Sequence, residues 1–208
     1  MSADRPALGE ELNLGLPTTP RPAATVILLR GGDDSLEVLL VQRDPGARFM
    51  AGAWVFPGGA VDAQEGEGAA ALRSAAVREV AEEAGITLPS PAALVPFSRW
   101  ITPAQMKIRF DTWFYLAHAP AGAEPAVDGA EIVQWRWYEP LAALAAARAG
   151  EILLVFPTIK HLEQISAFAS ADALIEHARG REIRPVEPKV LMSGETARIV
   201  LPGEPGHR

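Results

Sequence analysis

The sequence predicts an α+β fold, in which one domain holds a mixed β-sheet between helices. Three observations support this prediction. Short aliphatic and β-branched runs recur along the chain between turns that contain Gly or Pro, as β-strands do. Two alanine-rich segments, 69–84 and 140–149, are each followed by a glycine and have the composition of helices. The 208 residues show no internal repeat and are enough for one domain with a sizeable core.

The first strands are expected to form a hairpin. Ala23 to Arg30 and Leu36 to Arg43 are apolar runs, and the turn signal Gly31 to Asp34 joins them. A loop from Asp44 to Ala53 then leads into a short strand, Trp54 to Phe56. Further strands, rich in aromatic and β-branched residues, are predicted at 94–102, 108–118 and 131–138.

The two ends of the chain are expected to differ from this core. Residues 1–22 are rich in Pro, Gly and Thr, so we predict a flexible N-terminal arm. Residues 23–208 then form a single domain with a C-terminal extension from about residue 150. Thr158 is the expected N-cap of one helix in the extension, and Ser170 or Asp172 that of the next. The extension is predicted to hold helices at 158–168 and 171–179 and a hairpin of 189–192 with 197–201.

Composition excludes several classes of function. The net charge of −7 argues against a nucleic acid polymer as partner, because such binding depends on Lys and Arg that neutralise phosphates. The absence of Cys excludes disulfides, thiolate nucleophiles and zinc held by thiolates. No apolar run approaches the length of a membrane span, and the N-terminus lacks a signal-peptide pattern. These features predict a cytoplasmic protein.

One acidic segment, Arg78 to Ile86, carries more chemistry than any other. Helical spacing of i, i+3 and i+4 places the carboxylates of Glu79, Glu82 and Glu83 on one face. Their mutual repulsion would be offset by a hard cation such as Mg²⁺, which prefers carboxylate oxygens. A solvated face of an ordinary amphipathic helix is the alternative interpretation. The buried stripe of this helix is expected to be Val77, Val80, Ala81 and Ala84.

At these residues the chain resembles the Nudix hydrolase family, whose signature is G-x5-E-x7-R-E-U-x-E-E-x-G-U, with U a bulky aliphatic residue. Twelve residues, rather than seven, separate Glu65 from Arg78, so the signature carries a five-residue insertion here. Glu67 is therefore a rival to Glu65 for the place of the first glutamate. The second half of the signature is intact. The residues that match are Gly59, Glu65, Arg78, Glu79, Val80, Glu82, Glu83, Gly85 and Ile86.

The resemblance implies an α/β/α sandwich over about residues 23–149, a homodimer, and hydrolysis of a nucleoside diphosphate linked to another moiety. In such a reaction water attacks one phosphorus of the diphosphate with the help of Mg²⁺ or Mn²⁺. The resemblance makes Glu82 and Glu83 the primary metal ligands, and Glu79 a further ligand or the general base. It implies that Arg78 orients a glutamate and that Gly59 helps to place a loop through its backbone.

Further site candidates lie outside the acidic helix. Family members often recruit a carboxylate from elsewhere as general base, and Glu131 is the candidate here, with Glu124 and Asp128 behind it. An exposed acid at the end of a strand is the alternative for Glu131. Arg43 ends a strand that leads toward the signature, so it would either contact a phosphate or pair with an acid of the helix.

Aromatic residues and histidines have weaker signals. Arg48, Phe49 and Trp54 are candidates for binding a base or an acyl arm by stacking, and core packing explains the two aromatic residues equally well. Gly58 and Gly59 predict a tight turn with close backbone approach. His161 and His177 lie on predicted helices and are expected at the surface. The remaining tryptophans are assigned to the core or a dimer surface: Trp100, Trp113, Trp135 and Trp137.

The run from Val38 to Asp62, followed by the insertion, is similar to a branch of Nudix proteins that includes a mammalian CoA diphosphatase. That similarity implies CoA or acyl-CoA as substrate, cut at the pyrophosphate. NADH, ADP-ribose and related dinucleotide-like diphosphates are the alternative substrates. A protein of this fold that only binds a nucleotide and regulates is the alternative outside enzymes.

Overall fold

The computed structural model describes residues 12–13, 15–32, 35–127, 129–193 and 196–207. Within these residues, no helix is long and apolar enough to cross a membrane. Two short 3-10 turns accompany the longer elements, at Ala63–Glu65 and Pro91–Ala93. The strands and α-helices, in chain order, are β1 Arg21–Arg30, β2 Glu37–Arg43, β3 Ala53–Val55, β4 Gly58–Ala60, α1 Gly68–Ala84, β5 Val95–Ile101, β6 Phe110–His118, β7 Ile132–Tyr138, α2 Pro140–Ala149, β8 Leu153–Leu154, α3 Phe156–Ile165, α4 Ala171–Ala178, β9 Pro185–Val186, β10 Lys189–Ser193 and β11 Thr196–Val200.

The central sheet is mixed, as the sequence predicts. Its strands follow the order β8-β3-β2-β1-β6-β5-β9, and β4 and β7 pair with β1 and β2 respectively. β1 runs parallel to β6 along nearly its whole length and antiparallel to β2 and β4. The antiparallel pairing of β1 with β2 confirms the first predicted hairpin. The hairpin of β10 and β11 is likewise confirmed and forms a separate two-stranded sheet.

Helices cover both faces of the sheet, so the predicted α/β/α sandwich is confirmed. Successive side chains of β1 point to opposite faces. Val26 and Leu28 pack in one core cluster with Val80 of α1, whereas Ile27 packs in the other with Leu162 of α3. A strand buried on both faces has to be apolar at nearly every position, which explains the uninterrupted aliphatic run in β1.

The start of α3 differs from the prediction. The helix begins at Phe156, two residues before the expected cap, and Val155 is its N-cap residue. Pro157 occupies the first turn, where its missing N–H leaves no helical hydrogen bond unmade. Thr158 is buried inside the helix and is therefore not its cap. In α4 the prediction of Ser170 is confirmed, because its Oγ accepts a hydrogen bond from the Ala173 N–H at 3.2 Å.

Part of the predicted N-terminal arm is ordered against the sheet. Its residues 1–11 and 14 lie outside the described part of the chain. Leu12 forms an isolated bridge with Met106, and the Thr18 carbonyl accepts a hydrogen bond from Arg109 at 2.7 Å. Arg21 and Pro22 already belong to β1. The division of the chain at residue 22 stays a prediction.

His161 is fully buried, so its predicted place at the surface is wrong, whereas His177 is exposed. The Nε2 of His161 lies 2.7 Å from Ser98 Oγ, and the ring centroid of His161 lies 4.2 Å from that of Phe114. Burial penalises the charged ring and lowers the pKa of His161 to about 3. His161 therefore stays neutral in the fold at neutral pH.

The His161→Gln variant should be less sensitive to acid than the wild type. Because the pKa of His161 is about 3 in the fold and about 6.5 in the unfolded chain, the unfolded state binds more protons between these values. Stability of the wild type therefore falls as pH decreases through this window. From about pH 7 to about pH 5 the free energy of unfolding should decrease by about 2 kcal/mol more in the wild type. Urea unfolding measures this difference, and equal decreases would contradict it.

Candidate active site

The acidic helix α1 turns a different set of residues inward than the sequence predicts. Ala76, Val80 and Ala84 are buried, but Ala81 is exposed and Glu83 is buried. Glu83 follows Ala76 by two full turns, so it shares the inward face with that alanine. The predicted stripe is therefore wrong at Ala81, and one of the three acids lies at the edge of the core.

Glu83 is the most enclosed of the three acids, with 5% of its side chain exposed. Its Oε2 accepts a hydrogen bond from the Gly58 N–H at 2.8 Å, and its Oε1 lies 3.6 Å from Nη1 of Arg43. Burial raises the pKa of Glu83 to about 8, and the nearby charges of Glu79 and Glu131 act in the same direction. A cation beside this group would stabilise its charged form.

Glu79 lies against the backbone of β4. Burial raises the pKa of Glu79, and the guanidinium of Arg78 opposes that rise. A Cβ atom on Gly59 would stand 2.3 Å from Glu79 Oε1, and one on Gly58 would stand 2.4 Å from Oγ1 of Thr25. The expected close approach of this backbone is confirmed. The expected tight turn is wrong, because Gly58 and Gly59 form a strand paired with β1.

Alanine at Gly59 should lower activity without unfolding the protein. The new Cβ would collide with the far end of the Glu79 side chain, which can rotate away. Displacement of that carboxylate should reduce kcat by about 10²-fold. Steady-state kinetics and thermal melting of Gly59→Ala measure the two effects.

Gly58→Ala is the contrasting variant. Its Cβ would meet the backbone carbonyl of Ala24 and the Cα of Thr25, each at 2.6 Å, and neither can rotate away. It should therefore lose about 1–3 kcal/mol of stability. For Gly59→Ala itself, a wild-type kcat would show that turnover does not depend on the position of the Glu79 carboxylate.

Arg78 connects the loop before α1 to the acids on it. Its Nη1 donates to Glu79 Oε1 at 2.7 Å and to Glu82 Oε2 at 2.9 Å. Its Nη2 donates to Glu65 Oε2 at 3.2 Å and to the Ala60 carbonyl at 3.0 Å. The arginine thereby fixes several carboxylates with one planar group.

The same contacts distinguish Glu65 from its rival Glu67. Glu65 is nearly buried, pairs with Arg78 and accepts the Asp62 N–H at 2.8 Å. Glu67 is exposed and only precedes the first residue of α1. The five-residue insertion lies after Glu65, in the segment that holds Gly66, Glu67 and the first turns of α1. Glu65 thus occupies the position that faces Arg78 despite the longer spacing.

Arg43 bridges two elements of the site. Its Nη2 lies 3.1 Å from Oε1 of Glu131, its Nη1 lies 3.6 Å from Glu83, and its Nε donates to the Phe49 carbonyl at 3.3 Å. Glu131 remains 63% exposed in this pair. The structure therefore places Arg43 in ion pairs with the predicted general base and with an acid of α1.

The charged part of one cleft of about 460 Å³ is formed by Arg43, Glu79, Glu82, Glu83 and Glu131. The remainder of the cleft wall is mostly apolar, with threonines as its polar side chains, and includes Trp100, which sequence analysis assigns to the core or a dimer surface. The positive-φ residue Met50 also lines it. The predicted site residues that line the cleft are Arg43, Phe49, Gly59, Glu79, Glu82, Glu83 and Glu131.

Three other candidates lie away from the cleft, and Arg78 contacts its acids without lining it. Arg48 is exposed and does not line the cleft. Trp54 is buried in the core, edge-to-face with Tyr138 at a centroid distance of 5.9 Å. Glu124 is exposed away from the cleft, and Asp128 lies outside the described residues. Of the stacking candidates, the structure therefore brings Phe49 alone to the cleft.

The donor set suits a hard divalent cation held in an open site. No three Asp, Glu, His or Cys side chains in the described part of the chain form a ready metal cage. Mg²⁺, however, is usually bound by one or two carboxylates and completed by water and substrate phosphate. Glu83 and Glu79 offer such carboxylates, and both line the cleft.

The protein is thus a mixed α/β/α sandwich in which an acidic helix faces a glycine-rich strand. The sequence model of the NUDIX domain matches residues 19–156, so the chain belongs to the Nudix family, whose members include pyrophosphohydrolases that use divalent metal ions.

Individual relatives agree with this placement. Nudix hydrolase 7 of Caenorhabditis elegans is 29% identical over 81% of this chain and 68% of its own length. The human acyl-coenzyme A diphosphatase NUDT19 is 25% identical over 90% of this chain and 74% of its own length. The crystal structure of a NUDIX hydrolase from Alicyclobacillus acidocaldarius superimposes with a TM-score of 0.68 and 27% identity, covering 76% of this chain and 96% of that one.

Proposed function

We propose that this hydrolase cleaves the diphosphate bridge of a nucleoside diphosphate linked to another moiety, in a reaction that depends on Mg²⁺ or Mn²⁺. One observation carries the proposal: two carboxylates with raised pKa values, Glu79 and Glu83, stand at the polar part of a cleft. Membership of the Nudix family supports it. Burial of negative charge beside a cleft favours a ligand that brings a cation with it.

In the proposed reaction the oxygen of a water molecule attacks one phosphorus, and the bond from that phosphorus to the bridging oxygen breaks. The bridging oxygen leaves on the other phosphate, the water loses a proton, and two phosphomonoesters result. Glu82 and Glu83 would hold the metal, with Glu79 as a further ligand. A bound divalent ion supplies a more acidic water and neutralises charge on the phosphoryl oxygens.

Glu131 is the proposed general base. It is solvent-accessible, lies at the cleft, and is oriented by Arg43 at 3.1 Å. Glu79 is the alternative base, because its raised pKa brings it closer to the working pH of a proton acceptor. Arg78 acts as a positioning residue, since its guanidinium contacts Glu65, Glu79 and Glu82.

CoA or acyl-CoA is the proposed substrate. Similarity to the human acyl-coenzyme A diphosphatase over 90% of this chain supports it. The apolar character of most of the cleft wall also suits a substrate with a long, weakly polar arm. NADH and ADP-ribose are the alternatives within the same reaction class.

A substrate panel tests the proposal. CoA, octanoyl-CoA, NADH, ADP-ribose, diadenosine polyphosphates and nucleoside triphosphates are each incubated with the protein and Mg²⁺ or Mn²⁺. The expected result is preferential release of 3′,5′-ADP and a phosphopantetheine from CoA compounds, and loss of activity in chelator. Preferential cleavage of another diphosphate would reject CoA. Binding of a nucleotide without turnover would instead identify a regulatory binder.

A further inference from the structure

The apolar part of the cleft is assembled from elements that are far apart in the chain. Trp100 comes from β5, Phe110 from β6 and Phe156 from the first turn of α3, and all three line the cleft. Val190 of β10 and Ile199 of β11 complete this wall. The C-terminal hairpin is therefore part of the same cleft as the acidic helix.

Specific contacts hold the segment that leads into the hairpin. β9 pairs in parallel with β5, so that Val186 lies beside Trp100 in the sheet. Arg109 is buried and donates to Glu187 Oε1 at 2.8 Å and to the Thr102 carbonyl at 3.0 Å. Pro188, the next residue, lines the cleft. The hairpin thus starts from a point fixed on the cleft wall.

Two side chains of the hairpin form its contribution to the wall. Val190 and Ile199 are directly paired across β10 and β11, so their side chains share one face of the hairpin. Arg198, the neighbour of Ile199, points to the other face and is exposed. At this pair the hairpin therefore faces the cleft, whereas the neighbouring Arg198 of the opposite face lies at the surface.

The distribution of charge along the cleft indicates which part of a substrate fits there. Arg43 is the one cation among the described lining residues, and it is already paired with Glu83 and Glu131. The acids that line the cleft belong to α1 or pair with Arg43. The wall built by β5, β6, α3 and the hairpin contributes threonines as its polar side chains. A phosphate-bearing nucleotide finds no cationic partner at that wall, whereas an apolar chain loses nothing by leaving water.

We infer that the C-terminal hairpin and the start of α3 form a subsite for the apolar arm of the substrate, and that Val190 and Ile199 limit the length of that arm. The occupant is an acyl chain on the moiety that the diphosphate links to the nucleoside. This inference rests on the proposed function, because it assumes that a diphosphate binds at α1.

Binding measured without metal tests the subsite independently of turnover. Isothermal titration in chelator compares CoA with octanoyl-CoA on the full chain. The wild type should bind octanoyl-CoA at least about tenfold more tightly than CoA. Ile199→Trp, which fills the wall, should abolish this preference, whereas the matched control Arg198→Trp on the opposite face should retain it. Ile199→Ala should shift the preference toward dodecanoyl-CoA.

The outcomes separate the subsite from the proposed function. Equal affinity of the wild type for CoA and octanoyl-CoA would overturn the subsite, whether it is measured in chelator or, where neither ligand binds without a cation, in Ca²⁺. So would an equal loss of preference in Arg198→Trp and Ile199→Trp, or an unchanged preference in Ile199→Ala. Release of phosphomonoesters with Mg²⁺ is measured separately. An acyl preference without hydrolysis would retain the subsite and reject the function, and hydrolysis without an acyl preference would do the reverse.

Discussion

Replacing Glu83 with glutamine should lower kcat by about 10³-fold while leaving the fold intact. The carboxylate is expected to hold the metal at the diphosphate, and an amide binds a hard cation much less well. The fold should tolerate the change, because the amide keeps the shape of the side chain and can still accept the Gly58 N–H. Its neutrality also suits a site where burial raises the pKa of the acid to about 8.

Kinetics with the preferred diphosphate and thermal melting measure the two effects of Glu83→Gln. Glu82→Gln should also lower kcat, by about 10²-fold, since Glu82 is 60% exposed and held by Arg78. Glu67→Gln is the matched control, because this acid is exposed just before α1, and it should keep the wild-type kcat. Near-wild-type turnover in Glu83→Gln would remove Glu83 from the metal site.

Replacing Arg78 with lysine should lower kcat by about 10²-fold, although the charge is retained. The guanidinium donates in several directions at once, to acids on α1, to Glu65 and to the Ala60 carbonyl. An ammonium group is a compact charge without this planar geometry. The carboxylates of Glu79 and Glu82 would therefore lose their fixed positions while the substrate contacts stay unchanged.

A positioning role for Arg78 predicts a specific kinetic signature. In Arg78→Lys, kcat should fall far more than KM changes, and the affinity for Mn²⁺ should fall as well. Arg73→Lys is the comparison, because Arg73 on the same helix donates to the carbonyls of Pro91 and Leu94. That variant should lose stability and keep kcat. Arg78→Lys with reduced stability but unchanged kcat and Mn²⁺ affinity would show a purely structural role.

Local patterns in the sequence predicted the long elements well, because those elements bury regular stripes. The apolar run of β1 and the alanine-rich α1 both lie where expected. The missed strands β4, β8 and β9 have two or three residues each. Such short strands form because a neighbouring strand offers hydrogen bonds, so their own residues carry little signal. The two glycines Gly58 and Gly59 by themselves indicate a turn, whereas pairing with β1 makes them a strand.

The residues of the candidate site are likewise predictable only where they lie on one regular element. Helical spacing groups Glu79, Glu82 and Glu83, but it cannot say which of them turns toward the core, since that depends on where the sheet lies. Burial of Glu83 instead of Ala81 is therefore a tertiary effect. The apolar wall around Trp100 and Ile199 is built by pairing of distant segments. No local pattern marks these residues as neighbours.

Binding of Mn²⁺ tests whether the acidic face of α1 holds a divalent cation. Free Mn²⁺ is measured by electron paramagnetic resonance during titration of the wild type, of Glu67→Gln and of a variant with glutamine at Glu79, Glu82 and Glu83. The wild type and Glu67→Gln should bind Mn²⁺ with the same affinity, and the triple variant should lose that binding. Equal Mn²⁺ binding by the triple variant and the wild type would show that the acidic face of α1 does not hold the cation.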